Sequence, residues 1–570
     1  MRRSMKSAFV AGAIMLLATG AIGAGKRSQL DEPSAVVIGE RLFLETRFAE
    51  FFAEFLAGGG DMNRLPPAGD PVVDVTETTS APLPGPFAGA SINCRACHLV
   101  DEHVGVPGGG MRTYSDFARR SPIPDRSDGH TATPRNSPPL VNASLKRAGG
   151  LLLHFDGEFA TLPDLVVATL TGRNYGWLPR QSHEAIRHIA RVVRDDDGGG
   201  DLAAEFGGLS YRTVLAGSDP SIPAELLLPR EFRVDVATAP DDAIVLAVAN
   251  LIAVYTEQLV FSTDDGGAFN LSPFDTFLER NALPKTPARG ESEIAYSRRL
   301  LRAIAALERQ HAIQFVDGNP NTPDGAFQFH DRPFRFGPLE LRGLQIFFAE
   351  QPTAQVPDGP GVGNCIACHA APNFTDFAFH NTGVTQVEYD ALHGAMAFAR
   401  LDIPDLNARR ENPDAYLPAT SAHPDASGRF RLPARAGIPK QVDLGLWNVF
   451  ANDDFPSPQQ RISVALCRDV GGSAAAAVFD RACSTAALLP RAIARFKTAG
   501  LRDLGHSGPY MHNGELDTLA DVVGLYRTTS DLMRNGRLRN GARELADIVL
   551  DAGDVEPLVA FLRALDEDYQ

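Results

Sequence analysis

Apolar positions recur at helical spacing in blocks separated by long polar stretches. Between residues 33 and 56, Val36, Val37, Ile38, Leu42, Phe43, Leu44, Phe48, Phe51, Phe52 and Phe55 make one stripe, closed by Gly58-Gly59-Gly60. The same period predicts helices over 162–171, 182–194, 241–259, 292–310, 336–348, 489–496, 519–526 and 555–565. Residues 241–259 are strongly apolar (Ile244, Val245, Leu246, Val248, Leu251, Ile252, Val254) and read as a core helix. Strand-like alternation is confined to short pieces. Residues 61–92 and 100–138, rich in Pro, Gly and Thr, read as loops. Residues 262–290 read as a turn-rich connector, and 372–460 as mostly irregular chain that needs something to pack on. The expected fold class is mainly α.

One pattern occurs twice: a helix ending in Phe, a Gly-rich loop, then Asn-Cys-x-x-Cys-His. The copies are Asn93-Cys94-Arg95-Ala96-Cys97-His98 and Asn364-Cys365-Ile366-Ala367-Cys368-His369. Cys-x-x-Cys-His is the attachment sequence of a c-type haem. The thiols add to the porphyrin vinyl groups, and the adjacent histidine becomes the proximal iron ligand. A Cys₄ zinc knuckle or a redox dithiol pair also uses Cys-x-x-Cys, but neither needs the histidine that follows in both copies. The expectation is two covalently bound haem c groups, one in each of two cytochrome c-like domains with long ordered loops. The boundaries read as 33–261 for the first domain, 262–335 for a connector and 336–570 for the second.

Composition narrows the class. The chain has 570 residues, 44% hydrophobic and 22% charged, as in a soluble globular protein. Its formal charge, 54 − 70 = −16, disfavours nucleic acid as a partner and suits a basic redox protein. Met1-Arg2-Arg3-Ser4-Met5-Lys6 precedes an uncharged run from Ser7 to Gly25, which reads as an export signal cleaved near Gly23 or Ala24. That predicts a signal peptide at 1–24 and a periplasmic protein; an uncleaved membrane anchor is the alternative. Arg2-Arg3 hints at the twin-arginine route, but covalent haem is attached after export, which favours export unfolded. No cysteine stands near the cleavage region, so a lipid anchor there is excluded. The remaining cysteines, Cys467 and Cys483, read as a local disulfide worth roughly 3 kcal/mol by loop closure, with two free buried thiols as the alternative.

With these motifs in hand, the sequence resembles the bacterial di-haem cytochrome c peroxidase family, which includes the tyrosine-ligated enzyme that matures methylamine dehydrogenase. The pieces that carry the likeness are Ile38-Gly39-Glu40-Arg41-Leu42-Phe43, Thr133-Pro134-Arg135-Asn136, Phe155-Asp156-Gly157, Glu340-Leu341-Arg342-Gly343-Leu344, Asn373-Phe374-Thr375-Asp376, His380-Asn381-Thr382-Gly383, Phe496-Lys497-Thr498 and Pro509-Tyr510-Met511-His512-Asn513-Gly514. The resemblance implies His98 and His369 as proximal ligands and His130 as the removable distal ligand of the N-terminal, peroxidatic haem. It implies a calcium ion between the haems, held by Asn136 and the carbonyls of Ser507 and Pro509. It also points to His380 and His512 near the haem propionates and to His154 beside the first haem. The distal ligand of the C-terminal, electron-transfer haem falls on Tyr526, where the family's ordinary peroxidases have methionine; Met511, Met533 and a plain core tyrosine are the alternatives.

Two features depart from the family. Phe155 stands where the family has an electron-relaying tryptophan. The stretch Gly172-Arg173-Asn174-Tyr175-Gly176-Trp177 lacks the family's catalytic carboxylate. Peroxide cleavage needs a group that moves a proton between the two oxygens, and Glu158, Glu184 and His130 are the candidates. Three functions are carried forward. The first is an exported peroxidase reducing hydrogen peroxide to water with electrons from a small cytochrome c or copper protein. The second is a di-haem oxidase of the maturation-enzyme type, acting on a protein or organic substrate through high-valent iron. The third is a non-catalytic di-haem electron carrier. Homodimerisation is left open.

Overall fold

The computed structural model describes residues 33–66, 92–98, 121, 123–145, 147, 149–327, 330–350, 361–469 and 483–567. The expected export signal and most of the two loops flanking the first motif lie outside the described residues. The rest is mainly α, with two short antiparallel strand pairs: β1 (Val316–Asp317) with β2 (Arg335–Phe336), and β3 (Phe379–His380) with β4 (Phe496–Lys497). No helix among the described residues is long and apolar enough to cross a membrane.

The apolar stripe predicted as one helix over 33–56 forms two, α1 (Ser34–Phe43) and α2 (Glu50–Ala57). Tertiary partners take over the backbone groups of the break. The Leu44 carbonyl accepts from Asn93 Nδ2 at 2.8 Å, the Arg47 carbonyl lies 2.7 Å from His188 Nε2, and the Phe48 carbonyl accepts from Trp177 Nε1 at 3.2 Å. The break also carries buried charge. Arg47 bonds Glu45 at 2.7 Å and Asp196 at 2.9 Å, Arg41 bonds Asp196 at 3.1 Å, and the Tyr211 hydroxyl donates to Glu45 at 2.8 Å. A helix through this segment would pull these pairs apart and leave buried charges uncompensated.

Helices α3 (Leu162–Leu170), α4 (Ser182–Asp195) and α5 (Asp241–Gln258) follow close to their predicted limits and complete the first core. The stretch expected to be a connector contains α6 (Pro273–Arg280), opened by a reciprocal Ser272–Asp275 cap. Its Phe274 and Phe277 enter a second core with Tyr296 and Leu300 of α7 (Glu293–Arg309), Leu344 of α8 (Pro338–Phe348) and Phe561 of α12 (Val555–Arg563). Residues 262–335 are thus largely part of the second domain's core, not a linker. Between α8 and α12 lie α9 (Val384–His393), α10 (Gln459–Arg468) and α11 (Leu519–Arg534), the last two turns longer than its periodicity suggested.

Residues 372–460, expected to pack on a haem, contribute Phe398, Phe430, Leu444 and Trp447 to a third core that also takes in Leu152 and residues between 462 and 494, while His380, Thr382 and Val384 line the cavity at the second motif. Predicted helix 489–496 is not one. Pro490 follows a single helical turn at Thr485–Leu488, and the chain passes through a 3₁₀ turn into β4. Cys467 and Cys483 are joined as their spacing implied, with Cα atoms 5.3 Å apart.

Candidate haem sites

In both copies of the repeat the asparagine is a clamp. Asn93 ties the first motif to the end of α1 through Leu44. Asn364, at φ 49°, donates its amide to the Ala349 carbonyl at the end of α8 and its side chain to the Glu544 carbonyl at 2.9 Å. Each cysteine turn then brings the histidine amide back to the first cysteine's carbonyl, at 2.9 Å for His98 and 2.7 Å for His369. His369 Nδ1 lies 2.8 Å from the Phe374 carbonyl. A carbonyl only accepts, so Nδ1 carries the proton and Nε2 keeps its lone pair for a metal. His98 is also hydrogen-bonded to the Pro138 backbone. Burial lowers the affinity of both imidazoles for a second proton, with His98 held down to about 4.

The four motif cysteines are not joined to one another, and among the described residues they do not converge on one metal position. Burial pushes the Cys94 and Cys365 thiols up to about 12 and Cys97 to about 11. Two separate cysteine pairs, each followed by histidine, fit haem attachment better than a single four-cysteine zinc knuckle. At the second motif the space is evident. A cavity of about 230 Å³ is lined by Cys365, Cys368 and His369, and its wall also carries Tyr526 from α11 and Met511. Burial and the two nearby cysteines hold the Tyr526 phenol well above the usual tyrosine range. Met533 packs instead into a small cluster with Leu538 and Leu545. A second cavity, of about 80 Å³, is lined by Pro138 and His154, next to His98. Phe155, Lys497 and Ser507 belong to the walls of both cavities, so Phe155 stands between the two sites, where the relay position was expected.

The motifs that carried the family resemblance converge here. Arg135 donates to Asp156 at 2.6 Å and to Asp443 at 2.6 and 2.8 Å, joining the Pro-Arg-Asn and Phe-Asp-Gly segments to the loop after α9. Gly157 has φ 71°, and a Cβ there would lie 2.7 Å from the Phe379 ring, so both conformation and space demand glycine. His512 is buried with its ring stacked on Phe496, centroids 3.5 Å apart. His380 lies 2.8 Å from Asp376; burial alone would lower it, but bonds to Asp376 and Cys368 raise it to about 11.

Two of the calcium ligands implied by the resemblance, Asn136 and Pro509, lie side by side. Asn136 Oδ1 is buried with no hydrogen-bond partner, while Nδ2 lies 2.6 Å from the Pro509 carbonyl oxygen. Ser507, the third expected ligand, lies in the same wall.

The proton-transfer candidates read from the sequence fare differently. His130 is exposed on a turn, its amide donating to Asp128 and its carbonyl accepting from Arg173 at 2.7 Å. Glu184 is exposed on α4. Glu158 is bound by both terminal nitrogens of Arg431 and by His154 at 3.0 Å. Burial opposes its charge, but Arg431 and His154 together hold it well below the usual carboxylate range, so it serves as an anchor for His154 and is ill suited to donate a proton. A carboxylate from a distant element does pack against Gly172–Trp177. Glu50, at the start of α2, packs on Gly176, where an added Cβ would lie 3.1 Å from Glu50 Cβ. Arg126 bonds Glu50 at 2.5 Å and the Gly176 carbonyl at 2.7 Å. Burial and a hydrogen bond with Glu54 outweigh Arg126 and raise Glu50 to about 7. No spacing in the sequence links Glu50 to that stretch.

No protein-family model matches the chain. Among characterised proteins, it is 40% identical over 78 residues to the cytochrome-c peroxidase IdrP2 of Pseudomonas sp. (strain SCT), which is 14% of this chain and 19% of that one. It is 26% identical over 221 residues to the cytochrome-c peroxidase IdrP2 of Denitromonas iodatirespirans, 37% of this chain and 40% of that one. The matches thus span between about a fifth and two fifths of these relatives. Among solved structures, the diheme peroxidase BthA of Burkholderia thailandensis E264 aligns with 94% of this chain and 86% of its own at 17% identity and a TM-score of 0.41. A MauG-like protein associated with microbial copper homeostasis aligns with 94% and 90% at 15% identity and a TM-score of 0.40. The sequence matches, together with the paired Cys-x-x-Cys-His motifs and the segments gathered around them, make this chain a relative of the di-haem cytochrome c peroxidases.

Proposed function

We propose that the protein is an exported di-haem c-type oxidoreductase that reduces hydrogen peroxide to water with electrons from a small cytochrome c or copper protein. The observation that carries this reading is the repeated motif histidine, half-buried and hydrogen-bonded to the backbone in both copies, with Phe155 in the wall shared by the two cavities. When bound, the two haems would supply one-electron iron chemistry and a coordination position for peroxide.

The chain's own residues then divide the work. Cys94, Cys97, Cys365 and Cys368 would tether the porphyrins, and the imidazoles of His98 and His369 would hold the irons, with Nε2 of His369 left free for this by the bond at its Nδ1. Phe155 fills the gap between the sites with a ring that is not itself redox-active at ordinary potentials. His130 is assigned as the removable ligand of the first site; its exposed turn supports a group that swings in and out. Asn136, Ser507 and Pro509 are assigned to calcium, which would pin the Pro-Arg-Asn segment to the turn before His512.

The test is turnover with reduced cytochrome c and peroxide on protein matured in a host competent for c-type haem, with cyanide binding as the control for an open iron position. Peroxide-dependent oxidation of the cytochrome is expected. Failure of the ferric and half-reduced protein to bind either ligand would leave only the electron-carrier reading. Tyr526 favours a second reading. A phenolate ligand donates charge and stabilises oxidised iron. With Tyr526 bound, the second site would accept electrons poorly from a cytochrome and would share oxidising equivalents with the first, to be spent on a protein or organic substrate.

A further inference from the structure

The smaller cavity has a charge imbalance that the proposed function does not use. Lys497, on β4, faces both cavities, and its amide donates to the Phe155 carbonyl at 2.7 Å. Arg147 also lines the smaller cavity, with its guanidinium over the Phe377 ring at 4.2 Å and a buried Nη2 that has no hydrogen-bond partner. Among the described residues neither side chain is within ion-pair distance of a carboxylate, and no Asp or Glu lines this cavity. Its third cation, Arg502, is already bound by Asp275 at 2.9 and 3.0 Å. Asp156, the acid whose field reaches Lys497, is taken by Arg135 and Arg431. Burial lowers Lys497 to about 7 and Arg147 to about 10, the behaviour of cations withdrawn from water without an anion. Such groups are costly in an interior unless paired.

We propose that Lys497 and Arg147 form a carboxylate-binding site, filled by a propionate of the haem tethered at Cys94 and Cys97. The cavity wall includes Pro138, whose backbone is hydrogen-bonded to His98, and His154, whose field acts on His98. A porphyrin held over His98 therefore has its environment continuous with these two cations. Lys497, standing in the shared wall, also sets the electrostatic potential felt at the second site. The inference rests on the two-haem reading and adds a specific charge partner and a redox consequence.

The test compares wild type with Lys497→Met, Lys497→Arg and Arg147→Met, all matured with haem. A pyridine haemochrome count comes first: fewer than two haems per wild-type chain overturns the two-haem reading and this site with it. With two haems present, potentiometric titration reads the site directly. Removing a cation favours the more positive ferric state, so Lys497→Met is expected to lower the potential of the first haem by about 59 mV, a tenfold change in a one-electron equilibrium. Lys497→Arg is expected to restore it, and Arg147→Met to lower it in the same direction. Equal potentials in Lys497→Met and wild type would overturn the site. Should Lys497→Met fail to load haem, Arg147→Met carries the same test. Wild type titrated in acetate and in phosphate distinguishes the source of the anion. Potentials independent of both are expected, and a dependence on either would replace the propionate with a solution anion.

Discussion

Glu50 and Tyr526 are the residues whose chemistry most directly separates the readings. Glu50 is raised from the ordinary glutamate value to about 7, so the folded protein favours its protonated form. An acid shifted in this direction contributes stability that is fully present below its unfolded pKa of about 4.5 and is lost as pH rises through 7. Glu50→Gln is therefore expected to unfold at a higher temperature relative to wild type at pH 8 than at pH 5, by calorimetry. A difference that does not change with pH would show that Glu50 is not held protonated. For Tyr526, replacement by Phe removes the oxygen facing the His369 cavity. The electron paramagnetic resonance signal of the second ferric haem is expected to change and its potential to rise, because a charge-donating ligand is lost. An unchanged second haem would remove Tyr526 from the iron and with it the support for the oxidase reading. Tyr526 was legible because it lies at a fixed interval beyond a recognisable Pro-Tyr-Met-His motif. Glu50 was not, since only folding brings α2 against Gly176.

Among the secondary-structure elements, the repeat seen in the sequence is also a repeat of packing. In the first domain α1 lies along α5, and in the second α8 lies along α12. At each crossing a glycine lets the backbones touch. A Cβ on Gly39 would lie 2.2 Å from the Leu251 carbonyl oxygen, and one on Gly343 would lie 1.9 Å from that of Pro557. Neither carbonyl can retreat without unwinding its helix, so Gly39→Ala and Gly343→Ala are each expected to destabilise by about 1–3 kcal/mol. Gly524, inside α11 with open space where its Cβ would stand, is the control. Gly524→Ala should stabilise by about 0.5–1 kcal/mol. Urea unfolding of the three variants checks the contrast, and equal effects would show that the crossings tolerate side chains. Long amphipathic helices such as α4, α5 and α7 were readable because burial on one face imposes the period. The break at 44–49 was not, because the partners that replace its helical hydrogen bonds come from Asn93, Trp177 and His188.

At the scale of the whole molecule, the apolar cores of the described residues are joined in part through buried charge, and this level was the least readable from sequence. Phe398, Phe430 and Trp447 show no regular period, so the third core looked like irregular chain awaiting a haem; its elements are too short to carry a pattern. The Cys467–Cys483 bridge was the one feature of that region its sequence announced. Arg135 is the strongest link between this unit and the first domain. It is buried, and its guanidinium is divided between Asp156 and Asp443. Burial would raise Asp443, but Arg135 lowers it below the usual carboxylate range, so its contribution is present above the unfolded value and is lost as pH falls through the folded one. Arg135→Met would leave the buried Asp443 without its cation, while Asp156 keeps Arg431 at 3.5 Å. The expected loss is about 3–5 kcal/mol at neutral pH. Because the lost contact joins separate cores, calorimetry should resolve unfolding into two transitions where wild type gives one. The penalty should shrink as pH falls, because burial without Arg135 favours the protonated form of Asp443. A single transition at the wild-type temperature, at neutral as at lower pH, would mean that the apolar cores alone hold the two halves together and that Arg135 only fills the space between them.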